Sequence, residues 1–189
     1  MRKLLILCGF ILFVAGSALA QDQPKGEVAG NYTYIRIRPG VSGAGDFDCH
    51  GGGGSAAWNA NSYLGVVGEF AGCKVTGLGS GAPSVTTFTY LFGPRLTYRS
   101  HGRFEPFAEA LFGGTRLSAG SGGGFGSGSQ NAFSFAIGGG ADYKVTKSVA
   151  IRVVQFDYLY TKFDEGPGLP QHQNNFRIQA GVVLRFGGR

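Results

Sequence analysis

The segment Asn175 to Phe186, NFRIQAGVVLRF, constrains the fold of this chain more than any other, because its two faces suit opposite surroundings. Side chains alternate along an extended strand. One face therefore carries Phe176, Ile178, Ala180, Val182, Leu184 and Phe186, all apolar. The other carries Asn175, Arg177, Gln179, Gly181, Val183 and Arg185, and is largely polar and charged. A half-buried strand of a soluble sandwich shows the same alternation. Here, however, the apolar face starts and ends in Phe and has about the length that a tilted strand needs to cross a bilayer.

The first residues read as an export signal. Met1-Arg2-Lys3 is a basic start, Leu4 to Val14 is a short apolar run, and Ala18-Leu19-Ala20 precedes the polar Gln21-Asp22-Gln23. This pattern predicts a signal peptide over residues 1–20, cleaved after Ala20. Cys8 lies within the apolar run and is discarded with it, lacking a lipid-attachment site around it. The mature chain, residues 21–189, is enough for one domain or one barrel. It holds no apolar run of the length a transmembrane helix requires, a test that barrel strands evade because they announce themselves only by alternation. Removing Arg2 and Lys3 lowers the formal charge from +6 to +4, and the remaining cations are scattered through the strands. A nucleic-acid partner would call for clustered cations, so none is expected.

Eight strands are predicted. The first is Glu27 to Arg38, with Tyr32 and Tyr34 near an interface and Arg36 inward; the second, Gly51 to Trp58, is weak by composition. Asn59 to Ser62 forms a tight polar turn into the third strand, Tyr63 to Cys73, which sets Leu64, Val66 and Phe70 against Gly65, Glu69 and Cys73. In the fourth, Val85 to Arg99, Phe88, Tyr90, Phe92, Leu96 and Tyr98 oppose Thr87, Thr89, Gly93, Arg95 and Thr97, with a bulge expected near Pro94 because proline cannot donate to a ladder. The fifth, Phe104 to Leu117, turns Glu105 and Glu109 inward, and the sixth, Ala132 to Lys144, does the same with Ser134, Gly138, Gly140 and Asp142. In the seventh, Val149 to Thr161, the alternation changes phase between Arg152 and Gln155, as a bulge would make it. The eighth is Asn175 to Phe186.

The connections alternate long and short along the whole chain. That rhythm predicts an all-β fold, an eight-stranded antiparallel up-and-down transmembrane β-barrel over residues 21–189, with short turns and both termini on one side and longer loops on the other. Closure also removes the edges that such apolar strands would expose. A soluble lipocalin-like barrel is the rival fold. It would need its Phe and Tyr inside, and eight strands cannot enclose that many rings.

The segment NNFRIQAGVVLRFG resembles the closing strand of the barrel domain of the outer membrane protein A family, and QFDYLY resembles that family's seventh strand. Most of the likeness lies in strands four to eight. It implies residence in the bacterial outer membrane among its lipids, and insertion by the barrel assembly machinery through the C-terminal strand ending at Phe186. Two departures follow. The sequence ends at Arg189 without the peptidoglycan-binding domain of full-length members, so cell-wall tethering is not implied; and Gly187-Gly188-Arg189 follows the aromatic residue on which such barrels commonly end.

The inward charges are the most informative chemistry. Arg36, Glu69, Arg95, Glu105, Glu109, Asp142, Lys144, Arg152, Asp157, Arg177 and Arg185 are expected to project into a lumen only just wide enough for side chains. At that density they should pair across the barrel as a plug of salt bridges, since an unpaired buried charge is far costlier than a paired one. A narrow or gated ion path is the alternative. Cys49 and Cys73 lie symmetrically about Asn61, which predicts that they are directly opposed in the hairpin and joined as a disulfide. Export permits that oxidation.

Catalysis has little support. His50, His101 and His172 fall in different connections; His172 with Asp164 or Glu165 is the nearest to a catalytic set. Asp46 and Asp48 alone are a poor calcium signal, and the glycine runs lack the GK[ST] and following helix of a phosphate loop. No cofactor or metal is expected. The sequence thus points to a structural or surface-interaction role, with the loops as the contact for a surface ligand; a small porin-like channel is the alternative and an outer-membrane enzyme a distant third.

Overall fold

The computed structural model describes residues 23–37, 47–76, 85–99, 102–119, 128–163 and 172–188. The expected leader, the loop acids Asp46, Asp164 and Glu165, and His101 lie outside them. Eight strands follow in chain order: β1 (Gly26–Ile37), β2 (Phe47–Asn59), β3 (Leu64–Thr76), β4 (Val85–Thr97), β5 (Phe104–Ala119), β6 (Gly128–Lys144), β7 (Val149–Phe163) and β8 (His172–Phe186). Each pairs antiparallel with its sequence neighbours, and β8 returns to β1 through pairs such as Glu27↔Arg185, closing the barrel. The short turns and both described ends of the chain share one end of the barrel, here the turn end. The connections outside the described residues join strands at the other, the loop end.

Burial is inverted relative to a water-soluble core. Phe70 is 57 % exposed on the outer wall, as are Phe88, Phe92, Phe112, Phe133 and Phe156 to similar degrees, whereas Arg177 in the lumen is fully buried. A water-soluble barrel places apolar groups inside; this one places them where only hydrocarbon would solvate them. Trp58, Tyr63, Tyr98, Phe104 and Phe186 ring the turn end of that wall, in the manner of an interfacial aromatic girdle. The lipocalin-like rival is thereby excluded.

All the strands but β1 and β4 run further toward the loop end than the sequence suggests. β2 in particular begins at Phe47, four residues before its expected start. Gly51 to Gly54 lie inside it, and at two of them the lack of a side chain is structural: a Cβ on Gly51 would meet the backbone of Gly72 and Cys73, and one on Gly53 that of Phe70 and Ala71. Close approach thus replaces the usual β-strand composition.

Two expectations are corrected. No bulge accompanies Pro94: Phe92↔Phe112 and Arg95↔Glu109 keep one register. The ladder to β5 simply lapses at Gly93 and Pro94, where the proline has no N–H to give. Arg36, expected inward, is exposed on the outer face. It shares the phase of Tyr32 and Tyr34, so if those rings face outward Arg36 must too. The opposite phase carries Glu27, Asn31 and Thr33 into the lumen.

The phase change in β7 is a bulge. Asp142 pairs with Arg152 but Ala141 with Val154, and on the other side Arg152↔Gly181 is followed by Gln155↔Gln179. One extra residue at Val153–Val154 therefore returns both Arg152 and Gln155 to the lumen.

Candidate functional site

The lumen is stratified. Nearest the turn end, Glu27 receives Arg99 (Nη2 to Oε1, 2.7 Å) and the amide of Asn59 (3.3 Å), with Arg95 and Arg185 at 4.0 and 3.9 Å. Arg185 also reaches Glu105 at 2.6 Å and Asp142 at 3.9 Å, and Lys144, at the mouth, stands 3.7 Å from Glu105.

The middle layer is organised around Gln155. Its amide donates to Glu109 (2.8 Å), Asp157 (2.9 Å) and, more distantly, Glu69 (3.4 Å), while its carbonyl accepts from Arg152 Nη1 (3.0 Å). Arg152 grips Asp142 with two bonds, Nε at 2.9 Å and Nη2 at 3.2 Å. Arg177 is held between Asp157, through Nε (2.9 Å) and Nη2 (2.8 Å), and Glu69. Arg95 donates to Glu109 (2.8 Å). The ring of Phe107 lies between two guanidiniums, with Arg95 Cζ and Arg152 Cζ each 4.7 Å from its centroid. Forked, charge-assisted contacts of this kind are the strong ones, and they fix geometry as well as charge.

Among the described residues these layers bring together six carboxylates (Glu27, Glu69, Glu105, Glu109, Asp142, Asp157) and six cations (Arg95, Arg99, Lys144, Arg152, Arg177, Arg185) in two sets of pairs, Arg177 with Glu69 and Asp157 forming one and the rest the other, which the Gln155 amide joins. Of the inward charges expected from sequence, Arg36 alone lies elsewhere, beside Tyr34 and opposite Asp48 on the outer face. Three contributors escaped the sequence reading. Glu27 was hidden by the wrong phase for β1. Arg99 continues the inward phase of Arg95 and Thr97 past the end of β4. Phe107 is an inward ring in a barrel whose other Phe residues suggested the outside.

Toward the loop end the lining becomes apolar and hydroxylic. Ile35, Leu91, Leu111, Ala136 and Leu159 form one buried cluster with Cys49 and Cys73, beside a chain of hydroxyls from Thr115 to Ser134 (2.7 Å) and Ser134 to Thr161 (3.2 Å). Cys49 and Cys73 are joined as a disulfide with Cα atoms 5.5 Å apart. They are not directly opposed, as the symmetry about Asn61 suggests. Ala60 and Asn61 N–H groups both reach the Leu64 carbonyl, and the Asn61 side chain caps Tyr63 and Leu64, so the connection centres on Ser62. Cys73 therefore faces Gly51, and the bond runs diagonally over that glycine.

Outside the barrel, His50 accepts or donates a bond with Tyr32 (Oη to Nδ1, 2.6 Å), and Tyr34 donates to Asp48 (2.7 Å).

The model of the outer membrane protein β-barrel domain family matches residues 6–186. Comparison with curated proteins finds no match. Among solved structures, this chain is similar to neisserial surface protein A (15 % identity over 86 % of this chain and 97 % of that one, TM-score 0.68). It is likewise similar to Ail, the attachment invasion locus protein of Yersinia pestis (18 %, 87 % and 99 %, TM-score 0.62), and to the N-terminal barrel domain of Pseudomonas aeruginosa OprF (13 %, 87 % and 100 %, TM-score 0.51). At these identities the likeness is one of fold.

Proposed function

Because the chain belongs to the outer membrane protein β-barrel domain family, we propose that it serves the bacterial outer membrane in a structural or surface-interaction role, its lumen closed by its own charged side chains. The observation that carries this reading is Arg177, fully buried and held between Glu69 and Asp157. A lumen filled by paired charges supports a closed core, because breaking any one pair strands its partner in a medium of low dielectric. In this reading residues 1–20 direct export, the turn end faces the periplasm, and the C-terminal strand ending at Phe186 engages the assembly machinery. The loops at the other end meet lipid headgroups or a surface ligand.

A small porin-like channel is the second reading. What favours it is a cavity of about 650 Å³ at the turn end, which carries solvent-accessible space toward the charged layers. Single-channel recording of the refolded mature chain in a planar bilayer separates the two. Silence from folded protein is the expected result, and steady openings would transfer the assignment to the channel.

A further inference from the structure

The outer wall is hollowed between β4 and β5, toward the turn end. Across the ladder from Leu96 and Tyr98, the outward positions of β5 hold only Ala108 and Pro106. The result is a furrow of about 420 Å³, walled by Tyr63, Leu96 and Tyr98 on one side and by Pro106 and Ala108 on the other. Thr97 and Phe107 also line it, and since their side chains are buried in the lumen they do so with main chain. The furrow is thus an apolar channel in a wall that otherwise carries the rings of Phe88, Phe92 and Phe112.

A polar seat lies at its foot. Arg103, exposed, precedes Pro106 by three residues, about 10 Å along an extended chain. Its carbonyl accepts from the Lys144 N–H at 2.7 Å, and its guanidinium donates to the Tyr143 hydroxyl at 3.3 Å. Tyr143 in turn packs edge-on against Phe104, with ring centroids 5.1 Å apart. A cation bonded to a neutral hydroxyl is therefore held at the level of the aromatic girdle, with the furrow running from it toward the middle of the wall. A phospholipid carries its phosphate and its chains in that order. An acyl chain gains little by leaving lipid neighbours for Leu96 and Tyr98, which are no more apolar. The furrow fixes where a chain lies, and the cation decides which headgroup lies beneath it.

We propose that the furrow and Arg103 form a site for one anionic phospholipid of the leaflet at the turn end. Its phosphate meets Arg103 and the Tyr143 hydroxyl, and one chain lies over Pro106 and Ala108. The site rests on the membrane-spanning reading given above and not on whether the lumen conducts.

The test is native mass spectrometry of the refolded mature chain released from nanodiscs of equal parts phosphatidylglycerol and phosphatidylcholine, after heat-modifiable mobility on a gel has shown that it is folded. One retained phospholipid, mostly phosphatidylglycerol, is expected. Ala108→Phe, or Ala108→Leu if the ring prevents folding, fills the furrow and should abolish retention. Arg103→Gln should keep the lipid but lower its preference for phosphatidylglycerol about fivefold, the worth of one cation near a surface. Lys74→Gln, on the outer wall at the loop end, should change neither. Folded protein that retains no lipid, retention that survives filling of the furrow, or a preference indifferent to Arg103→Gln overturns the site alone. A two-chain mass lost on filling the furrow would give the surface to a second copy and overturn it equally. Failure of the parent to enter nanodiscs overturns the membrane reading and the site with it.

Discussion

Arg95 and Glu109 stand directly opposite each other across the β4–β5 ladder, and their side chains meet inside the barrel at 2.8 Å. Glu109 also accepts from Gln155 at 2.8 Å, so its loss takes the hydrogen-bond acceptor of the Arg95 guanidinium and one of the acceptors of the Gln155 amide. Glu109→Ala should therefore cost about 3–5 kcal/mol. The sole tryptophan, Trp58, lies exposed on the outer wall and reports unfolding from lipid in urea by its fluorescence. Arg95→Met combined with Glu109→Leu should cost clearly less than the two single changes added together. Additive losses would mean that the pair is not coupled.

Phe107 offers a separate handle on the same layer. Replacing it with Ala removes the ring between Arg95 and Arg152 and should cost about 3–5 kcal/mol. Phe107→Leu keeps most of the volume and loses the cation–π contacts, so about 1–2 kcal/mol is expected. Equal losses in the two variants would show that only volume matters. Conductance in Phe107→Ala, with none in the parent, would further identify the ring as part of the closure.

Oxidation of Cys49 and Cys73 should leave no thiol in a chain cleaved after Ala20 as proposed, since Cys8 lies within residues 1–20. Denatured but unreduced protein from the outer membrane should take up no maleimide, and two equivalents after reduction. The bond closes a loop with a sequence separation of 24, and replacing both cysteines with Ala should lower stability by about 3 kcal/mol on chain-entropy grounds. Full labelling without reductant would contradict the pairing.

The bulge in β7 makes a prediction about length. Deleting Val153 removes the extra residue without moving Arg152 or Gln155 out of the lumen, so the variant should still fold in lipid, as judged by its heat-modifiable mobility on a gel. Deleting Leu159 instead shifts the strand by one position beyond that point and turns Asp157 or Thr161 toward hydrocarbon. That variant should not fold. Folding of both, or of neither, would place the irregularity elsewhere.

How far these features were legible in the sequence depended on local contrast between the two faces. In β4, β6 and β8, rings alternate with hydroxyls, glycines and charges, and strand, face and lumen residue could all be read directly. The Arg152-to-Gln155 phase change was legible for the same reason. β1 was not, because Tyr32, Tyr34 and Arg36 share one phase while the inward Ala29 and Ile35 are themselves apolar; choosing Arg36 as an inward charge inverted the strand and hid Glu27. β2 was shortened because Gly51 to Gly54 carry no pattern at all. At Gly51 and Gly53 the need for glycine comes from the approach of β3, a tertiary fact. Pro94 misled in the opposite sense, since a missing N–H can be absorbed by a gap in the ladder as well as by a bulge.

The equal numbers of acids and bases in the lumen carry a consequence for ion selectivity. A passage lined by matched charges has no sign of its own by which to sort ions. If the barrel is opened by substitution, the preference of the resulting pore should be dictated by whichever member of a pair was deleted. Removing Glu69 or Asp157 would leave Arg177 to favour anions, and removing Arg177 would leave two carboxylates to favour cations. The same wall could thus yield either kind of pore, with reversal potentials of opposite sign, from changes to a single guanidinium or to the two carboxylates that hold it.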